Sequence, residues 1–104
     1  MTEIADIPLE AIIANLRKIE PAIRALGVTR LAVFGSRARG DARPDSDLDI
    51  LVDSTSRGET PLFDIFKVQH LIEDATGVST QVSMRDMLKP RMANRIADDL
   101  VEVF

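Results

Sequence analysis

Cysteine is absent from the 104 residues. Its absence excludes disulfides and thiolate zinc sites and agrees with a cytoplasmic location. No apolar run approaches the roughly 18 residues that a membrane-spanning helix needs, so no membrane partner is expected. The opening residues, Met1-Thr2-Glu3-Ile4-Ala5-Asp6, are acidic and lack the basic and apolar regions of a secretory leader. Positive charge is not in excess either: 13 Lys and Arg stand against 17 Asp and Glu, a formal net charge of -4. Broad binding to a nucleic-acid backbone normally demands a basic surface. A small nucleotide or a protein is therefore the more natural partner. Carboxylates committed to a metal are compensated on binding, so net charge understates the local attraction for phosphate. There is no internal repeat, low-complexity tract or linker.

What is present is an ordinary globular balance, 45% hydrophobic and 29% charged. The length suits a single domain over 1–104. Between Pro8 and Leu26, apolar Ile12, Leu16, Ile19, Ile23 and Leu26 recur at three- and four-residue steps, one face of a helix. Pro21 inside that pattern implies either a kink or a restart with Pro21 in a new first turn, and Gly27 is a stop signal. Leu31–Phe34 and Leu48–Val52 are short apolar runs between turn signals, the pattern of buried strands. Gly35 to Ser46 reads as a loop with one helical turn, and Ser54 to Thr60 as a polar loop.

Pro61 to Ala75 carries a helical stripe of Leu62, Ile65, Phe66, Val68, Ile72 and Ala75, and Gly77 ends it. Phe63 and Phe66 are assigned to the core. Val78, Thr80 and Val82 alternate with Ser79, Gln81 and Ser83, the period of a strand with one polar face. Arg85 to Asp99 reads as helix broken at Pro90, and Val101 to Phe104 as a last short strand. His70 is read as a surface or packing residue, Glu73 and Asp74 as solvated helix charges, and Lys89, Arg91 and Arg95 as a modest basic set on a solvated face of the last helices. The implied class is α/β (α+β): a small mixed sheet flanked by helices.

The chemistry-bearing stretch is Phe34-Gly35-Ser36-Arg37-Ala38-Arg39-Gly40, followed by Asp45-Ser46-Asp47-Leu48-Asp49. Glycine after a strand lets the backbone turn sharply and approach a ligand closely. Exposed N–H groups there, with the Ser36 hydroxyl, make a phosphate cradle. Asp47 and Asp49 stand two apart, which on a strand points both carboxylates to one face with Cα atoms about 7 Å apart. Hard carboxylate oxygens beside a phosphate cradle suit Mg²⁺, which binds them at about 2.1 Å. The alternatives are a plain turn at Gly35-Ser36 and solvated aspartates compensated by Arg37, Arg39 and Arg43.

Gly35-Ser36, ten residues, then Asp47-x-Asp49 resembles the signature of the minimal nucleotidyltransferase (MNT) family, within the DNA polymerase beta superfamily. The context Pro-Asp-Ser-Asp-Leu-Asp-Ile-Leu-Val is also similar, and the likeness spans the chain from the first helix to Leu88-Lys89-Pro90. It implies a nucleotidyltransferase fold, with Gly35 and Ser36 on the triphosphate of ATP or another NTP and Asp47 and Asp49 as catalytic Mg²⁺ ligands. Arg39 would reach phosphate or brace the loop. The family places a third acid on a later strand, where it completes the metal site and activates the attacking hydroxyl. Gln81 falls at that position here, and no Asp or Glu lies between Asp74 and Asp86. A neutral amide cannot be a general base.

Proteins of this family are commonly antitoxins paired with HEPN-type toxins, to which they transfer AMP at a tyrosine hydroxyl. The resemblance thus implies an adenylyltransferase with a HEPN-type partner, its transfer weakened at Gln81. A non-catalytic module that masks such a partner is the alternative. A small-molecule (antibiotic) nucleotidyltransferase is disfavoured by the lack of an acceptor-binding domain. A homo-oligomer is open, since apolar helix faces need covering.

Overall fold

The computed structural model describes residues 7–43, 45–54 and 62–104, and the side chains of all of these but 62–64. The expected acidic N-terminus, the loop at 55–60, Pro44, the helix start at Pro61 and the side chains of Leu62 and Phe63 lie outside the described residues. Helix α1, Leu9–Lys18, buries Ile12 and Leu16. The chain turns at Ile19 and restarts as α2, Glu20–Ala25, with Pro21 in the first turn. There the missing N–H has no helical partner to lose, so the proline restarts the helix without straining it. Gly27, at φ 101°, takes the left-handed turn out of α2.

Strand β1, Val28–Phe34, begins three residues before the apolar run. Its polar start is held by pairing with β2, Leu48–Ser54, through Val28 opposite Ser54 and Arg30 opposite Asp53. Between these strands lies one helical turn, α3, Ser36–Arg39. Helix α4, Leu62–Thr76, leads to β3, Thr80–Met84. Helix α5, Pro90–Ile96, is flanked by 3₁₀ turns at Arg85–Met87 and Ala97–Asp99, and β4 is Val101–Glu102. Pro90 opens α5 from an extended Lys89; it does not divide a continuous helix.

The sheet is mixed, in the order β3-β2-β1-β4. The β2–β3 pair is parallel and both pairs made by β1 are antiparallel. The architecture is therefore α+β, a small mixed sheet with helices against it. Strand parity divides the sheet into two faces. Leu48, Ile50 and Val52 of β2 join Leu31 and Val33 of β1, with Ile12, Leu16, Ile23, Val68 and Ile72 of the helices, in the main core. On the opposite face, Phe34 and Leu51 meet Ile96 of α5, with Leu88 and Leu100 beside them. That smaller cluster attaches the C-terminal segment and leaves the rest of the second face open.

Two side chains of α4 depart from the sequence pattern. Phe66 is 57% exposed, because the helix turns Ile65, Val68, Leu71 and Ile72 toward the core. Glu73 is half-buried and accepts a 3.0 Å hydrogen bond from the Thr80 N–H, so it is not a purely solvated charge. Ile50→Ala should cost about 2–5 kcal/mol in urea unfolding. Phe66→Ala should stay within about 0.5 kcal/mol of the parent in the same measurement.

Candidate functional site

Gly35 follows the last residue of β1 at φ 81° and ψ -159°, a conformation essentially reserved for glycine. A Cβ added there would run into the Asp49 Oδ2 and stand 3.2 Å from its Cγ. Asp49 arrives at that spot through register: it pairs with Phe34 across the antiparallel β1–β2 ladder. With Leu48 and Ile50 fully buried on the core face, Asp49 has to point to the other. Asp47 precedes the first residue of β2 and is exposed. Burial and the Asp47 charge raise the Asp49 pKa above the usual carboxylate value, and Arg39 partly opposes them.

The parallel β2–β3 ladder sets Gln81 opposite Asp49. Adjacent strands run about 4.8 Å apart, so the two residues are cross-strand neighbours. Gln81 is exposed.

The loop that delivers Asp47 is braced by Arg37. This guanidinium is 7% exposed and donates from Nε and Nη2 to the Ser46 carbonyl at 3.1 and 2.8 Å. The Arg43 N–H donates to Ser46 Oγ at 2.9 Å and tightens the same turn. Of the three arginines that could compensate the aspartates, Arg39 is the one whose charge bears on Asp49. It donates from Nε to Asp41 at 3.2 Å and from Nη1 to Asp99 at 3.0 Å.

An open cleft of about 350 Å³ gathers these groups. One wall is Phe34, Gly35, Ser36, Arg39 and Asp49; the other is Met92, Arg95, Ile96 and Asp99. Four of the expected residues therefore share one cleft, with Asp47 at its edge beside Asp49. The second wall went unrecognised in the sequence, where Arg95 reads as a solvated helix charge. Its signal is nonetheless there: 92, 95, 96 and 99 follow the i, i+3, i+4, i+7 spacing of one helix face. A hollow of about 380 Å³ near α1 is lined by Ile7, Pro8, Leu9, Ile12, Arg37, Gly40 and Ala42. It is slightly larger, but no described residue lining it carries a carboxylate, whereas Asp49 and Asp99 line the cleft.

Among the described residues, no group of three or more His, Asp or Glu converges on a metal position. The available donors are two carboxylates, hard oxygens that fit one Mg²⁺ whose remaining positions go to water and substrate phosphate.

A family model described as nucleotidyltransferase domain matches residues 16–103. A Methanocaldococcus jannaschii protein named as a protein adenylyltransferase is 33% identical over 87 residues, 84% of this chain and 91% of its own. A solved minimal nucleotidyltransferase has a TM-score of 0.78 at 30% identity, covering 93% of this chain and 97% of that one. An MNT antitoxin in complex with the tri-AMPylated HEPN toxin of Shewanella oneidensis has the same fold, with a TM-score of 0.65 at 13% identity. That likeness covers 89% of this chain and 71% of the other.

Gly35→Ala should destabilise the fold by about 1–3 kcal/mol through backbone strain and the Asp49 contact. Adding Asp49→Ala should return part of that loss, with a coupling of at least about 0.5 kcal/mol in a double-mutant cycle of urea unfolding.

Proposed function

The chain belongs to the nucleotidyltransferase domain family, and from that premise we propose that it binds ATP with Mg²⁺ in the cleft and transfers AMP to a hydroxyl of a HEPN-type partner protein, as the antitoxin of that pair. The observation that carries this reading is the packing of Asp49 against Gly35 at one end of the cleft. It brings a carboxylate to the turn whose backbone and hydroxyl suit phosphate. The adenylyltransferase name of the archaeal relative supports AMP as the transferred group. The HEPN complex of like fold supports the kind of partner.

In this reading Gly35 permits close approach of the triphosphate, and Ser36 donates its hydroxyl to a phosphate oxygen. Asp47 and Asp49 hold Mg²⁺ and Arg39 faces the phosphates. Bound Mg²⁺ supplies charge neutralisation and polarises a phosphate oxygen. Gln81 stands beside Asp49 where the family carries its third acid. Its amide orients by hydrogen bonding but takes no proton from an acceptor hydroxyl. Loss of a general base costs about 10²–10⁴ in rate, so transfer is slow relative to a chain with an acid there. The same residue favours a second reading, in which the protein binds nucleotide and masks its partner without modifying it.

Intact-mass measurement of the partner, after incubation with this protein, ATP and Mg²⁺, decides between them. Transfer adds one or more AMP groups, and Asp47→Ala or Asp49→Ala abolishes the gain. Gln81→Asp should raise the rate roughly 10²-fold or more. A stable complex with no mass gain, unchanged by Gln81→Asp, would establish masking.

A further inference from the structure

We propose that Arg95 is a ligand of the terminal phosphates of a nucleoside triphosphate, and that it makes the cleft select triphosphate over monophosphate. This rests on the nucleotide reading of the cleft. The two arginines that line it are in different electrostatic states. Arg39 is already shared between Asp41 and Asp99. Arg95 forms no ion pair with any described residue. It is exposed, and it stands in the wall facing Gly35 and Ser36.

That placement is built into the fold. Ile96, the next residue, is buried with Phe34 and Leu51 and ties α5 to the open face of the sheet. At the following turn, Asp99 is held by Arg39 from across the cleft. Arg95 directly precedes the first of these anchors, so the anchored segment holds its backbone at the cleft wall.

The charge inventory also calls for it. Asp47 and Asp49 put two negative charges at one end, and Asp99 adds a third on the lining. A cation bound by Asp47 and Asp49 offsets charge at that end only. A triphosphate extending away from Gly35 and Ser36 brings further negative charge toward α5. There the uncommitted guanidinium offers a planar fork of donors that matches phosphate oxygens two at a time. A monophosphate seated at the Gly35-Ser36 turn does not extend that far.

Calorimetric titration of the whole chain with ATP, and with AMP in competition, each with Mg²⁺, tests the role. Arg95→Ala should weaken ATP on the order of tenfold while its thermal midpoint and its affinity for AMP stay near the parent values. Arg95→Lys should recover part of the loss, since it keeps the charge but not the fork. Arg91→Ala, on the same helix but outside the cleft lining, should bind ATP like the parent. Parental ATP affinity in Arg95→Ala overturns the proposal while leaving the nucleotide site intact. An equal loss of ATP and AMP also overturns it, because it marks a general disturbance of the cleft. A parent chain that binds no ATP overturns the proposal together with the functional reading beneath it.

Discussion

Leu48, Ile50 and Val52 fill the main core from one side of β2, and strand parity then leaves Asp49 nowhere to point but the other side. Much of the site follows from that constraint. The antiparallel register with β1 brings Asp49 level with Phe34, against the residue where the chain turns. Only a residue without Cβ fits between the turn and the carboxylate. The parallel register with β3 brings Gln81 level with the same carboxylate. One apolar strand, with Leu48, Ile50 and Val52 committed to the main core, thus places the acid, requires the glycine and selects the neighbour.

The second face is organised economically. A small apolar cluster of Phe34, Leu51 and Ile96 holds the C-terminal segment in place, and the Arg39–Asp99 ion pair crosses the cleft from α3. Farther along the same face, Arg30 is paired with Asp53 and Glu102, and Arg85 with Asp53. The exposed Arg30–Glu102 pair contributes little to stability, while Asp53 is half-buried between Arg30 and Arg85. Among the described residues, open volume, an acid and a cation without an ion-pair partner coincide in the cleft.

In the proposed reading, the single side chain of Gln81 limits what the family's fold implies. The cleft, the turn and Asp49 all suit phosphate and a divalent cation. Yet the nearest polar neighbour across β3 carries an amide where proton removal would need a carboxylate. In the proposed reading, binding and transfer are therefore two properties of the same site: the first would draw on Gly35, Ser36, Arg39 and the aspartates, and the second would depend also on what stands at position 81.

The amino-acid order alone was not enough for the extended break at Leu88-Lys89 that shortens the last helix to Pro90–Ile96, but it was enough for most of the elements, the class of fold and the Gly35-Ser36 to Asp47-x-Asp49 pattern. These depend on local rules: helical spacing, strand alternation, glycine and proline as punctuation. The restart at Pro21 stayed open at that level, because kink and restart share one local pattern. Phe66 misled for a related reason, since its spacing fits the α4 stripe while packing turns Leu71 inward in its place. The second wall of the cleft, Met92 to Asp99, needed the tertiary structure. Its residues lie more than forty positions beyond Asp49 in sequence. They reach the site because Ile96 packs under Phe34 and Leu51, a contact that no local periodicity specifies. Sequence by itself determined which polar and acidic groups the Gly35 to Asp49 stretch carries and at what spacing. Only folding decided which distant side chains face it, because side-chain direction follows from local backbone geometry whereas adjacency of remote segments follows from how apolar surfaces are buried.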